Sequence, residues 1–235
     1  MERTWGTQPL ESGEMRKVDC LLSAPTPSSR QHDRERYDRL HAEIHDATRG
    51  GFLFGRAALI RTLALRSRAP ERILEVGCGA GYNLLKLCET FPAAQVVGLE
   101  VSADLLKIAQ RRLSKWANRV TLLYGGYGQT LQLAQTFDAI FFSYALSRMN
   151  PGWASAIERA PCDLTETGVI AVVDFHDSPL RLFKAWMRFN RVRLDGHLLP
   201  KLEACFRPRV LDLHNAYGGA WSYLLFIGEH AGESK

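Results

Sequence analysis

Glu75-Val76-Gly77-Cys78-Gly79-Ala80-Gly81-Tyr82-Asn83 carries a short apolar run, Ile73-Leu74-Glu75-Val76, into a stretch of helical spacing that starts at Tyr82. An apolar run that ends in glycines reads as a buried strand. Glycines let the backbone turn sharply and let a ligand lie against it without Cβ clashes. The helix that follows presents unpaired N–H groups at its first turn. Spacing narrows the ligand. A dinucleotide fingerprint needs G-x-G-x-x-G, but here the sixth position is Tyr82 and the third glycine comes one residue early, at Gly81. A P-loop needs Gly-Lys followed by Ser or Thr, and no such run follows this strand.

Outward from this loop the chain alternates strand and helix. Tyr82 to Thr90 is helical and Gln95 to Glu100 is a second strand. Ser102 or Asp104 caps a helix to Trp116, and Val120 to Leu123 is a third strand. Phe137 to Phe142 and Gly168 to Asp174 are the fourth and fifth, with a helix near Trp153 to Arg159 between them. Such alternation implies right-handed crossovers and a parallel sheet covered on both faces. Val210 to Leu213 and Trp221 to Ile227, joined by Asn215-Ala216-Tyr217-Gly218-Gly219, read instead as an antiparallel hairpin on one edge. Ahead of the sheet, Tyr37, Leu40, Ile44 and Ala47 fall at helical spacing up to the break at Gly50-Gly51, and a second helix spans about Gly55 to Ser67. The expected organisation is a disordered leader over 1–29, one domain over 30–230 with a helical lid at about 30–68, and a tail over 231–235.

Composition excludes several classes. The 235 residues are 46% hydrophobic and 23% charged, values of a globular domain. The five cysteines are odd in number and contain no CxxC pair, so neither a disulfide framework nor a metal centre is expected. The N-terminus lacks the apolar core of a signal peptide, and no apolar run approaches 18 residues. A cytoplasmic protein is expected. Lys and Arg outnumber Asp and Glu by 30 to 25, a net charge of +5 that permits an anionic partner without requiring one.

The acidic-x-G-x-G-x-G pattern from Glu75 to Gly81 resembles motif I of the class I S-adenosylmethionine-dependent methyltransferases. The resemblance implies a Rossmann-like α/β sheet, mostly parallel with a C-terminal antiparallel hairpin, and S-adenosylmethionine as cofactor. It places Glu75, Gly77, Cys78, Gly79, Gly81 and Asn83 at the cofactor, with Glu100 at the ribose hydroxyls and Val101 beside it. Many relatives carry Gly-Asp after the third strand for the adenine amino group. This chain reads Gly125-Gly126-Tyr127-Gly128-Gln129, which leaves Gln129 or backbone carbonyls as acceptors.

Three further segments narrow the resemblance. His45-Asp46-Ala47-Thr48-Arg49 with Phe52-Leu53-Phe54-Gly55-Arg56, Phe142-Ser143-Tyr144-Ala145-Leu146-Ser147 with Pro151 and Trp153, and Val172-Val173-Asp174-Phe175 with His176-Asp177 are similar to segments of the bacterial diacylglyceryl-homoserine N-methyltransferases of betaine-lipid synthesis. The group has a tyrosine where this chain has His45. The acceptor is then an amino lipid head group, the alternative being a water-soluble small molecule.

Methyl transfer to an amine creates no new charge, so the enzyme must mainly place a neutral amine against the methyl group and exclude water. Tyr144 is the candidate to orient the amine, or a packed core tyrosine. His176 is a candidate proton relay oriented by Asp174 or Asp177, or a structural hydrogen-bonding residue. Arg49 and Arg56 suit the cofactor carboxylate or an acidic head group. Tyr37 belongs to the lid or to the core, and His45 to the acceptor side or to a cap before Gly50-Gly51.

Leu180 to Arg193, LRLFKAWMRFNRVR, gathers Arg181, Lys184, Arg188 and Arg191 on one side of a helix. Leu182, Phe183, Trp186, Met187 and Phe189 take the broad opposite face. Two readings stand: a helix packed on its own domain, or an interfacial helix on the inner face of an anionic membrane, with Arg181, Lys184, Trp186 and Arg188 as docking residues. No nucleic-acid partner is expected, because Ser143-Tyr144-Ala145-Leu146 lacks the paired prolines of the amino-methylating nucleic-acid enzymes.

Overall fold

The computed structural model describes residues 53–66, 68–128 and 136–230. Seven strands form one sheet in the order β3-β2-β1-β4-β5-β7-β6. They are β1 (Arg72–Val76), β2 (Gln95–Glu100), β3 (Val120–Tyr124), β4 (Phe137–Ser143), β5 (Leu164–Phe175), β6 (Phe206–Ala216) and β7 (Trp221–His230). The first five are parallel, and β7 runs antiparallel to both β5 and β6. The expected α/β fold, mostly parallel with an antiparallel C-terminal hairpin, is therefore the one present. The strand order reverses between β1 and β4, which opens a crevice at their carboxyl ends.

Strand alternation divides the core into two layers. Ile73, Val96, Phe141, Ala171 and Val173 point to one face, beneath α1 (Arg56–Arg66), α2 (Tyr82–Thr90) and α3 (Ala103–Arg112). Leu74, Val97, Ile140, Phe142 and Val172 point to the other, where α4 (Trp153–Asp163) and α6 (Leu198–Cys205) cover them. The helix α5 (Arg181–Phe189) follows β5 and joins the first layer through Met187. Both faces are apolar because helices cover both, and that is why the strands read as continuous hydrophobic runs.

Several boundaries differ from the sequence expectation. The helix after Ser102 stops at Arg112, and Ser114–Trp116 is a separate 3₁₀ turn. The last hairpin begins at Phe206 rather than Val210. Pro208 is tolerated there because β6 is an edge strand, with a register shift between Pro208 and Val210. The helix α6, its proline at the third position, was not expected. The leader, Tyr37, His45, Arg49, Gln129 and the tail lie outside the described residues.

Candidate active site

The glycine loop is shaped by two different needs. Gly79 has φ +55°, and a Cβ there would meet no heavy atom within 4 Å, so the chain leaves open room beside it. Gly81 has φ +79°, and a Cβ there would press on Ala109 and Leu113 of the α3 segment at 3.1 and 3.0 Å. The structure therefore makes Gly81 a packing residue behind the loop, not part of the wall expected to face the cofactor. Gly77 and Cys78 donate their N–H groups to the Leu99 carbonyl at 2.8 and 3.1 Å, fastening the loop to β2. Arg112 braces it from outside by donating to the Ala80 carbonyl and lying 3.5 Å over the Tyr82 ring.

Two carboxylates stand at the ends of β1 and β2. Glu100 Oε2 accepts from Gly79 N–H at 2.9 Å, while Oε1 accepts from Val101 and Ser102 N–H at 2.9 and 3.0 Å. Glu75 is fully buried. Its Oε1 accepts from Asn83 Nδ2 at 2.7 Å, and its Oε2 has no partner. Burial pushes the Glu75 carboxyl up to about 8, against the opposing pull of Asn83 and Arg56. Burial also raises the Cys78 thiol far above the usual range, so it is a neutral wall group and not a nucleophile.

The crevice is a cavity of about 960 Å³. One half is lined by Arg56, Glu75, Gly77, Cys78, Gly79, Asn83, Glu100 and Val101, all expected at the cofactor. The other half comes from the segment after β4, with Tyr144 and Arg148, and from α5 and the turn after it, with Trp186 and Arg191. The first half fits S-adenosylmethionine on its own features. An open backbone cradle lies at Gly79, a carboxylate ends β2, and a buried acceptor oxygen of Glu75 lacks a partner.

Tyr144 lines the cavity in a left-handed backbone conformation, φ +54°, which a tyrosine rarely adopts. Its hydroxyl donates to the Phe54 carbonyl at 2.8 Å, and its ring meets Phe175 edge-on at 4.7 Å. Burial raises its pKa well above the tyrosine range. The hydroxyl therefore serves as an acceptor and not as a phenolate base.

The residues expected to form a proton relay, His176 with Asp174 or Asp177, do not line the cavity. Asp174 is fully buried, pushed up to about 6 by burial, and its oxygens accept from Ser147 and Phe175 N–H at 3.1 and 2.8 Å. Strand alternation turns it into the core, away from the cavity wall. His176 also stays off that wall; its ring packs against Gly196 and its Nδ1 has no partner. Asp177 pairs with Lys184 at 2.5 Å. Among the described residues no hydrogen bond joins His176 to Asp174 or Asp177, although the imidazole lies near enough to Asp177 to act on its charge. Asp174 instead fastens Ser147, the residue before Arg148.

The helix α5 has three faces rather than two. Met187 is buried and Phe183 half-buried, packing on the core. Arg181, Lys184 and Arg188 form a second face. Leu182 and Phe189, 88% and 87% exposed, form a third with Trp186. The expectation of one broad apolar face is thus corrected: only part of it packs, and the rest meets solvent. Lys184 is committed to Asp177, whereas Arg181 and Arg188 are exposed. Among the described residues no helix is long and apolar enough to cross a membrane.

Sequence reasoning did not single out Arg148 and placed Arg191 only on the basic side of a helix. Arg148 carried one positional signal, since the segment that follows β4 borders the switch point, whereas Arg191 follows a helix and carried none.

A family model described as a methyltransferase domain matches residues 73–168. The chain is 31% identical over 175 residues to the ubiquinone/menaquinone biosynthesis C-methyltransferase UbiE of Syntrophotalea carbinolica, covering 71% of this chain and 72% of that protein. It is 28% identical over 179 residues to the dTDP-3-amino-3,4,6-trideoxy-alpha-D-glucopyranose N,N-dimethyltransferase of Streptomyces venezuelae, covering 73% and 72%. The solved N-methyltransferase NodS from Bradyrhizobium japonicum WM9, in complex with S-adenosyl-L-homocysteine, shares the fold. Its TM-score is 0.62 at 18% identity, over 75% of this chain and 86% of that one. With the glycine loop, the acid ending β2 and a relative matched over most of both chains, this protein belongs to the class I S-adenosylmethionine-dependent methyltransferases.

Proposed function

We propose that the chain N-methylates an amino lipid head group, converting diacylglyceryl-homoserine to its trimethylated betaine lipid from the surface of an anionic membrane. The observation that carries this reading is Trp186. It lines the cavity and also belongs to the exposed apolar face of α5, beside Leu182 and Phe189 and next to Arg181 and Arg188. A helix with bare apolar side chains flanked by free arginines matches a bilayer interface, and this one stands at the cavity mouth.

When bound, S-adenosylmethionine supplies an electrophilic methyl group. The chain supplies position. Glu100 would accept a ribose hydroxyl at the lone pair left on Oε2, Val101 would border the adenine, and Arg56 with Glu75 and Asn83 would hold the methionine end. Tyr144, its O–H donated to the Phe54 carbonyl, accepts an N–H of the primary and then of the secondary amine and so aims the nitrogen lone pair in the first two transfers. The tertiary amine of the third transfer has no N–H, and the ring faces of Tyr144 and Phe175 place it. The aromatic faces of Tyr144 and Phe175 accommodate the cationic product. Asp174 is a positioning residue that steadies the segment after β4. Each ammonium loses its proton to water before transfer, since no described cavity group is a free base.

A second reading, a water-soluble amine as acceptor, is supported by the amino-sugar N,N-dimethyltransferase among the relatives. Expressing the chain in cells that make diacylglyceryl-homoserine separates the two. The first reading expects the trimethylated lipid by mass spectrometry. An unchanged lipid profile from a folded, cofactor-binding protein rejects it.

A further inference from the structure

The half of the cavity beyond the cofactor carries two arginines and no acidic residue on its wall. Its wall includes Arg148, after β4, and Arg191, after α5. Among the described residues neither guanidinium has a hydrogen bond or ion pair. Asp174 attracts Arg148 from within the core, but its oxygens are taken by Ser147 and Phe175 N–H. The acids lining the cavity are Glu75 and Glu100, both at the glycine loop. Glu100 is committed to three backbone N–H groups there. Both arginines reach solvent along this wall and keep their charge, so each guanidinium can turn to an anion that enters the cavity.

Arg191 bears an independent mark. Its φ is +61°. Its N–H donates to the Arg188 carbonyl, and Val192 N–H donates to that of Met187, both at 2.9 Å. This is the Schellman ending of a helix, whose left-handed position favours glycine. The chain keeps an arginine there against that preference, and the side chain lines the cavity.

We propose that Arg148 and Arg191 hold an oxyanion of the acceptor, so that the methylated amine belongs to a molecule that also carries a carboxylate or a phosphate. The inference rests on the reading that this cavity takes the acceptor beside the cofactor. Tyr144 receives the amine and the two arginines receive the anion. A planar guanidinium suits both oxyanions through paired N–H donors. A neutral amine lacks the second handle and is bound poorly.

The test titrates the full chain, saturated with S-adenosylhomocysteine, by calorimetry. The probes are a short-chain glyceryl ether of homoserine, its carboxamide, phosphoethanolamine and inorganic phosphate. At least one oxyanion probe binds, and Arg148→Gln weakens it roughly 10- to 100-fold, the worth of a charged hydrogen bond. Arg148→Lys recovers part of the loss. Arg191→Gly weakens binding too but leaves the thermal midpoint equal or higher, which separates a lost ligand contact from a lost fold. Affinity for S-adenosylhomocysteine stays unchanged in each variant. Binding of the homoserine ether with rejection of its carboxamide identifies a carboxylate head group. Binding of the phosphate probes alone keeps the oxyanion site and rejects the betaine-lipid reading. The proposal is overturned if no oxyanion probe binds or if binding survives both substitutions. Loss of S-adenosylhomocysteine affinity in parallel overturns it as well, by assigning the arginines to the cofactor.

Discussion

Glu100 reaches back from the end of β2 to accept the Gly79 N–H at 2.9 Å, so the residue proposed for the ribose also holds the glycine loop in place. Its Oε1 is filled by Val101 and Ser102, and its Oε2 keeps one lone pair for a ligand hydroxyl. Glu100→Gln presents an NH₂ group to backbone donors, disturbing loop and ligand together. Calorimetry is expected to show S-adenosylmethionine affinity reduced roughly 10- to 100-fold, with the circular dichroism spectrum unchanged. Wild-type affinity in this variant would remove Glu100 from the cofactor site.

Glu75 gives the pH dependence. Its folded pKa of about 8 lies above the ordinary 4.5, so the native chain retains a proton that the unfolded chain releases. That contribution to stability is complete below pH 4.5 and is lost as pH rises to 8, by at most about 1.4 kcal/mol per pH unit. Asp174 acts with the same sign up to about 6, and His197, its pKa lowered by burial, titrates below 6.5. Between 6.5 and 8 Glu75 therefore dominates. Urea unfolding should lose stability across that interval in the wild type and stay flat in Glu75→Gln. A cationic ligand group beside Glu75 lowers its pKa. Cofactor binding at neutral pH should then release a proton, seen as a calorimetric enthalpy that varies with buffer, and Glu75→Gln should abolish the variation.

Tyr144→Phe keeps the ring against Phe175 and deletes the hydroxyl that meets Phe54. The amine then loses its orienting acceptor while the cofactor half is untouched. Steady-state kinetics should show kcat down roughly 10- to 100-fold with little change in cofactor KM. Equal kcat in the variant would make Tyr144 a packing residue.

Leu182 and Phe189 make no core contact to lose, since each is almost fully exposed. Leu182→Ser with Phe189→Ser should leave the melting temperature unchanged and abolish flotation with anionic vesicles. Arg181→Glu with Arg188→Glu should do the same, most clearly at low salt. Lys184→Ala should matter less, because Asp177 already neutralises that charge. Flotation unaffected by the serine pair would end the docking role of α5.

Much of this molecule was readable before its structure. The run Ile73 to Val76 and its glycines gave the first strand and the loop because a doubly covered strand has no polar face to confuse the pattern. The hairpin was legible from two strands around Gly218-Gly219. Its start was not, because Pro208 beside Arg207 and Arg209 reads as loop unless the strand is known to be an edge. The site divided along the same line. Glu75, Glu100 and Gly79 announce themselves through local spacing, whereas Arg148 and Arg191 come from segments forty residues apart that only the tertiary fold brings to one cavity. Neighbours in sequence misled at Asp174 and His176, where alternation along β5 turns the aspartate into the core. Periodicity along α5 gave its faces but could not say which of them packs.

Transfer of an isotopically labelled methyl group from S-adenosylmethionine to diacylglyceryl-homoserine in anionic vesicles, by the purified full chain, tests the central claim most directly. The label should appear in mono-, di- and finally trimethylated lipid, with the rate falling in Tyr144→Phe and in the Leu182→Ser, Phe189→Ser pair. A folded chain that binds S-adenosylmethionine yet leaves the lipid unlabelled, while methylating a water-soluble amine at the same rate with or without vesicles, would contradict it.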